Sequence, residues 1–275
     1  MAYWEWGAAD NPDVVVCAHG LSRQGRDFDQ LARTLQGRFR VICPDVVGRG
    51  QSDWLDQPML YQLPQYVADM VTLLARLEAQ HLGWVGTSMG GLIGLGLAAL
   101  KHSPIDALVL NDIGPSIAAE GLQRIASYVG QPSSFATVEE AAAYLASIST
   151  GFGPHTAAEW LELSRPMVVS HEAGWRLHYD PNIALAMGQT TPEMAKAGEA
   201  ALWGMYDNIK APTLLLRGAD SDILTPTTAQ AMTQRGPRAK RIELPGVGHA
   251  PTLTHAEQIQ PVEAFLIRHM TVHAA

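Results

Sequence analysis

The stretch Gly86-Thr87-Ser88-Met89-Gly90 is a Gly-x-Ser-x-Gly pattern. It follows a short apolar run, residues 82–85, and opens an apolar stretch of helical length, residues 89–100. A serine hydroxyl is a weak nucleophile until a base takes its proton and a third group holds that base. A sharp strand-to-helix turn adds what the side chain lacks. It lifts the oxygen clear of the sheet and sets it over the positive end of the helix dipole. Small residues two before and two after the serine let the chain turn that tightly through a strained conformation. Ser88 is therefore the candidate nucleophile of an acyl transfer. An ordinary glycine-rich turn is the plain alternative.

A base has to be found among ten histidines. Gly246-Val247-Gly248-His249-Ala250-Pro251 follows the last short apolar run, and no other histidine has that setting. His81, His102, His255 and His269 sit in or beside helix-like stretches and read as surface groups. His155, His171 and His178 lie in the middle of the chain, where a substrate contact is the alternative to a structural role. Two further loops stand at the ends of apolar runs. One is His19-Gly20-Leu21; the other is Pro44-Asp45-Val46-Val47-Gly48-Arg49-Gly50-Gln51-Ser52.

With the serine turn and the His249 loop, these segments resemble the α/β-hydrolase family, over nearly the whole chain outside its middle. The resemblance implies an order Ser…Asp…His along the chain. It makes His249 the general base, and Leu21 and Met89 the donors of two backbone amides to an oxyanion hole. Each such donor is typically worth about 3 kcal/mol of barrier. His19 would brace its loop, and Asp45 and Ser52 would serve as scaffold. The acid is the least defined member. Asp222-Ile223-Leu224-Thr225-Pro226 has the family's spacing for it, so Asp222 is the first choice. The family also often places the acid three residues after the glycine, which is Ser221 here. Asp220 therefore stays open. So does an acid moved to Asp112, although Asn111-Asp112-Ile113-Gly114-Pro115 reads more simply as a strand end that launches an insertion.

Specific elements must position these groups. Continuous apolar runs at 14–18, 39–43, 82–85, 107–110, 213–216 and 241–244 read as strands buried on both faces. Helix-like stretches at 27–35, 66–78, 89–100, 227–235 and 257–270 alternate with them. In 66–78, Val67, Met70, Val71, Leu74 and Leu77 recur at threes and fours. Such alternation predicts an α/β fold, a mainly parallel sheet flanked by helices. It stops between two late strands. Residues 114–209 are alanine-rich, with helical pieces at 120–128, 138–147 and 156–163 and a turn at Glu172-Ala173-Gly174-Trp175. The expected organisation is a core of 1–113 and 210–275 with a mostly helical cap at 114–209. Arg23, just past the oxyanion loop, could read an anionic substrate group, as could Arg26. Trp160, Trp175 and Met187 could line an apolar pocket, or simply bind the cap to the core.

Composition removes several other classes. With 19 Lys+Arg against 27 Asp+Glu and a formal charge of −8, the chain makes a poor nucleic-acid partner. No basic run suggests a membrane surface. Cys17 and Cys43 are the two cysteines, without Cys-x-x-Cys, which argues against a disulfide framework or a thiolate zinc site. They read as buried free thiols, with a redox pair as the alternative. The first residues show neither a basic n-region nor an apolar h-region. A cytoplasmic enzyme without metal or organic cofactor is expected, and a homodimer stays open.

Serine rather than aspartate at the elbow argues against dehalogenase and epoxide-hydrolase chemistry. The expected reaction is hydrolysis of carboxylic esters of small to medium apolar substrates through an acyl-enzyme. The same groups serve carbon–carbon bond hydrolases, lactonases and perhydrolases, and some relatives of this fold are ligand receptors.

Overall fold

A computed structural model describes residues 1–172, 174–188 and 191–270. Among the described residues there are nine strands: β1 (Tyr3–Trp6), β2 (Asp13–Ala18), β3 (Arg40–Pro44), β4 (His81–Thr87), β5 (Ala107–Asn111), β6 (Val168–His171), β7 (Gly174–Leu177), β8 (Thr213–Gly218) and β9 (Lys240–Leu244). Seven of them form one sheet in the order β1-β3-β2-β4-β5-β8-β9. All its pairings are parallel except that of β1 with β3.

The helices are α1 (Asp29–Leu35), α2 (Leu63–Leu74), α3 (Met89–Ala98), α4 (Ala119–Tyr128), α5 (Val138–Ile148), α6 (Ala157–Ser164), α7 (Ile183–Met187), α8 (Pro192–Asn208), α9 (Pro226–Met232) and α10 (Ala256–Met270). The apolar runs are continuous because both sheet faces are covered. On β2, Val14, Val16 and Ala18 join one core and Val15 and Cys17 the other. The β5 residues Leu108 and Leu110 divide from Ala107 and Val109 in the same way.

All six strands read from apolar runs are present. The antiparallel edge strand β1 had no such signature, because YWEW alternates between exposed and half-buried residues. Helix α2 starts and stops earlier than its periodicity suggests. Gln62 caps it in extended conformation, Pro64 occupies its first turn, and the chain leaves helical geometry before Glu78, which has φ +52°.

Between β5 and β8 lie α4, α5 and α6, close to the three helical pieces expected, together with the long α8. A β6–β7 hairpin is the departure: of residues 172–175, expected as a turn, Gly174 and Trp175 open the strand β7, which pairs antiparallel with β6. Ala173 of that stretch lies outside the described residues. The hairpin survives on borrowed partners, since Trp175 and Phe135 exchange backbone hydrogen bonds of 2.8 and 2.9 Å.

The β4–α3 turn shows why its glycines are needed. Ser88 sits at φ +52°, ψ −116°, a conformation costly for a non-glycine residue. A Cβ on Gly86 would overlap the Gly90 carbonyl, and a Cβ on Gly90 would overlap the Ala18 carbonyl of β2. Both cysteines are free and fully buried on the adjacent strands β2 and β3. Burial and the neighbouring Cys17 push the Cys43 thiol well up, so it is a poor nucleophile. Among the described residues, no helix is long and apolar enough to cross a membrane.

Candidate active site

Three loops at the carboxyl ends of parallel strands converge on Ser88. His249, on the loop after β9, places Nε2 2.9 Å from Ser88 Oγ. Its Nδ1 lies 2.8 Å from Asp112 Oδ2. A carboxylate only accepts, so Nδ1 carries the ring proton and Nε2 accepts from the serine hydroxyl. That tautomer leaves Nε2 free to take the serine proton.

The carboxylate beside His249 is therefore Asp112, and neither Asp222 nor Asp220. Asp112 follows β5, one strand over from the serine strand β4, and adopts φ +53°. It is fully buried, and three donors hold it in place of water. Gly218 N–H donates to Oδ1 at 2.9 Å, Ser221 Oγ–H to Oδ2 at 2.6 Å, and His249 supplies the third. Ser221 occupies the position where the family often places its acid, and here it donates to the relocated carboxylate.

Asp222 is turned away and engaged elsewhere. Its carboxylate takes a fork from Arg124 on α4, with Nε and Nη2 at 2.5 and 3.0 Å. The guanidinium holds that carboxyl below its usual range. The loop is pinned to this side by Ala118 N–H donating to Ile223 O at 3.0 Å. Gly121 of α4 packs so closely on Asp222 and Ile223 that a side chain there would overlap them. The sequence spacing at 222–226 thus reflects the start of α9, where Thr225 caps and Pro226 occupies the first turn.

The loop after β2 lies against Ser88: a Cβ on Gly20 would stand 3.7 Å from Ser88 Cβ. Met89 opens α3, where first-turn amides lack an intrahelical acceptor. Leu21, next to Gly20 on that loop, and Met89, next to Ser88 in the chain, thus come to the serine turn from two elements. Arg49 ties them together, a role the sequence reading missed. It is fully buried, with Nε donating to Leu21 O at 2.7 Å, Nη1 to Val47 O at 2.7 Å, and Nη2 3.5 Å from Met89 Sδ. Its guanidinium also lies over the rings of Tyr61 and Tyr66. The one hint was an arginine between two glycines of the 44–52 loop. In that loop Asp45 accepts from Gly25 and Gln51 N–H groups, and Ser52 Oγ–H donates to Asp45 O, which is scaffold work.

His19 is neutral and structural. Its Nδ1 donates to Gly20 O at 2.7 Å and its Nε2 accepts from Val46 N–H at 3.0 Å. Burial lowers its pKa from 6.5 to about 3. Between those values the unfolded chain binds a proton that the folded chain does not, so stability falls as pH drops through that window. We expect the melting temperature to decline from pH 6.5 downward, and less steeply in His19→Gln, whose amide can both donate and accept. Equal slopes in the two proteins, followed by thermal melts, would remove His19 from the account.

The cavity over Ser88 encloses about 80 Å³ and is lined by the 19–23 loop, His249, Arg124, Tyr128 and an apolar wall including Ile125, Leu145, Ile148 and Phe152. Of the side chains expected to contact substrate, Arg23 lines it. Trp160, Trp175 and Met187 do not. Trp160 stacks behind Phe152, with ring centroids 5.8 Å apart. Trp175 is held in the hairpin, and Met187 ends the short α7 with its side chain against the core. Arg26 pairs with Asp29 at 2.6 Å beside this region.

Residues 13–256 match the family model described as alpha/beta hydrolase fold. The chain is 51% identical over 263 residues to a Cupriavidus necator protein named 3-hydroxybutyrate-oligomer hydrolase, covering 94% of this chain and 90% of that one. A Novosphingobium aromaticivorans alpha/beta hydrolase of known structure superposes with a TM-score of 0.85 and 38% identity, covering 97% of this chain and 93% of the other. A Rickettsia typhi structure gives a TM-score of 0.87 with 32% identity, covering 97% of this chain and 90% of its own.

Proposed function

Because the chain belongs to the α/β-hydrolase family and is a hydrolase, we propose that it is a serine esterase acting on short oligoesters of hydroxyacids such as 3-hydroxybutyrate. The observation that carries the reading is the relay from Ser88 through His249 to Asp112, at 2.9 and 2.8 Å. Ser88 Oγ attacks the ester carbonyl carbon while His249 Nε2 takes its proton. The carbonyl oxygen becomes an oxyanion, and the Leu21 and Met89 amides receive it. As the intermediate collapses, the ester C–O bond breaks and His249 returns the proton to the departing alcohol. Water, deprotonated by the same nitrogen, then releases the acid and restores Ser88. Asp112 keeps the imidazole in the required tautomer and offsets the charge it gains. Residues 114–209 act as a cap whose α4 and α5 supply the apolar wall.

The substrate class rests on two supports. The Cupriavidus necator relative carries that activity in its name. The cavity over Ser88 is small, about 80 Å³, with a largely apolar wall, which favours an acyl group of a few carbons over a long fatty chain. The test is release of monomer from the dimer and trimer of 3-hydroxybutyrate, followed by chromatography beside p-nitrophenyl esters of graded length. Turnover of the oligomers, with butyrate well ahead of laurate among the nitrophenyl esters, is the expected result. Folded protein that hydrolyses none of these esters would overturn it.

A further inference from the structure

The cavity over Ser88 contains a charged donor that no protein group satisfies. Arg23 is only 9% exposed. Its Nε and Nη2 fork onto Asp27 at 2.7 Å each, and Nη2 also reaches Leu163 O at 3.3 Å. Phe152 covers the guanidinium, with its ring centroid 5.5 Å from Cζ. The remaining nitrogen, Nη1, is buried and has no hydrogen-bond partner among the described residues. A buried ionised donor left unpaired is costly, and it only donates, so its natural partner is an acceptor oxygen. The other cation of the cavity wall, Arg124, has spent its fork on Asp222.

Position links this donor to the chemistry. Arg23 Cγ and Ser88 Cβ each lie 3.7 Å from where a Gly20 Cβ would stand. Arg23 therefore lines the same small cavity as the nucleophile. Asp27 occupies the opposite, Nε–Nη2 edge of the guanidinium, which fixes the plane and directs Nη1 away from that carboxylate.

We propose that Arg23 Nη1 binds the free carboxylate of the substrate, so that the enzyme removes hydroxyacid units one at a time from the carboxyl end. The inference rests on the ester-hydrolase reading above. In a 3-hydroxyacid oligoester, the carboxylate of the last unit stands two carbons beyond the scissile ester oxygen. In such a chain a free carboxylate stands at one end alone, and every internal unit offers a neutral ester carbonyl instead. The group that meets Arg23 is then a chain end, and a charge-assisted bond to it is stronger than one to the neutral carbonyl of an internal ester.

The test compares the 3-hydroxybutyrate dimer as free acid with its methyl ester. Wild type is expected to favour the acid by at least about tenfold in kcat/KM, and Arg23→Gln to erase the preference by raising KM for the acid. Arg23→Lys, a point charge without the fork, should recover part of it. A wild type indifferent to the methyl group, or an Arg23→Gln that depresses both substrates equally, overturns the proposal. Should Arg23→Gln not fold, 3-hydroxybutyrate is used as an inhibitor of wild-type turnover of p-nitrophenyl butyrate. Competitive inhibition by the anion but not by its methyl ester supports the site, and equal inhibition by both removes it. Failure of the function reading is distinguishable, since wild type would then hydrolyse neither the dimers nor p-nitrophenyl butyrate.

Discussion

Ser88→Ala is expected to lower kcat on p-nitrophenyl butyrate by roughly 10⁶-fold, which is the scale on which removal of a serine nucleophile operates elsewhere. The effect should fall on kcat and leave KM nearly unchanged, because the cavity walls come from other residues. The fold should hold as well. Ser88 Oγ donates to His249 and its backbone amide donates to Asn111 O at 3.1 Å, and the second bond survives the change. Alanine at φ +52° is no worse placed than serine, so the melting temperature should move little. Initial rates with a burst experiment on wild type check both halves. A p-nitrophenol burst matching the enzyme concentration would report an acyl-enzyme on Ser88. An alanine variant with wild-type kcat would sink the covalent mechanism.

The second large effect separates the carboxylates. Asp112→Asn should cost roughly 10⁴-fold in kcat, because an amide can donate to Nδ1 and stabilise the wrong imidazole tautomer. Asp222→Asn should remain within a few-fold of wild type. It removes the charge facing Arg124 at a site about one-third exposed, where an ion pair contributes little. The rates of the two variants on one ester, measured side by side, settle the matter. If Asp222→Asn were the crippled variant, the geometry described here would not be the working one. Ser221→Ala is a graded companion, since it strips one of three donors from Asp112 and also releases the Ile223 and Leu224 amides that bond to the same hydroxyl.

The contrast between these two aspartates marks where local sequence stops being informative. Ser88 and His249 were legible because each sits in a motif whose backbone requirement is local. Glycines at 86 and 90 are what a turn at φ +52° needs beside the β2 carbonyl, and the histidine loop ends a buried strand. The strands were legible for a similar reason. Burial on both faces writes itself into the chain as unbroken apolar runs, as in β2 and β5. Three helices of the alanine-rich 114–209 segment were also visible, within a residue or two of their ends.

The acid was different, since two strand ends each offer an aspartate and either can reach a histidine held by a third strand. Spacing favoured Asp222, but that spacing was the start signal of α9. The choice was made across the sheet, by three donors that only the assembled loops bring to Asp112 and by an α4 arginine that takes Asp222 out of play. Arg49 and the spare nitrogen of Arg23 belong to the same category. A buried guanidinium is defined by which carbonyls, rings and carboxylates fold around it, and these come from positions as distant as Leu21, Tyr66 and Leu163. Unbroken apolar runs, helical periodicity and tight turns specify the frame and the serine turn, because their constraints act between near neighbours. The partner of the histidine and the group that meets the substrate depend on contacts between distant segments, and those exist only once the chain has packed.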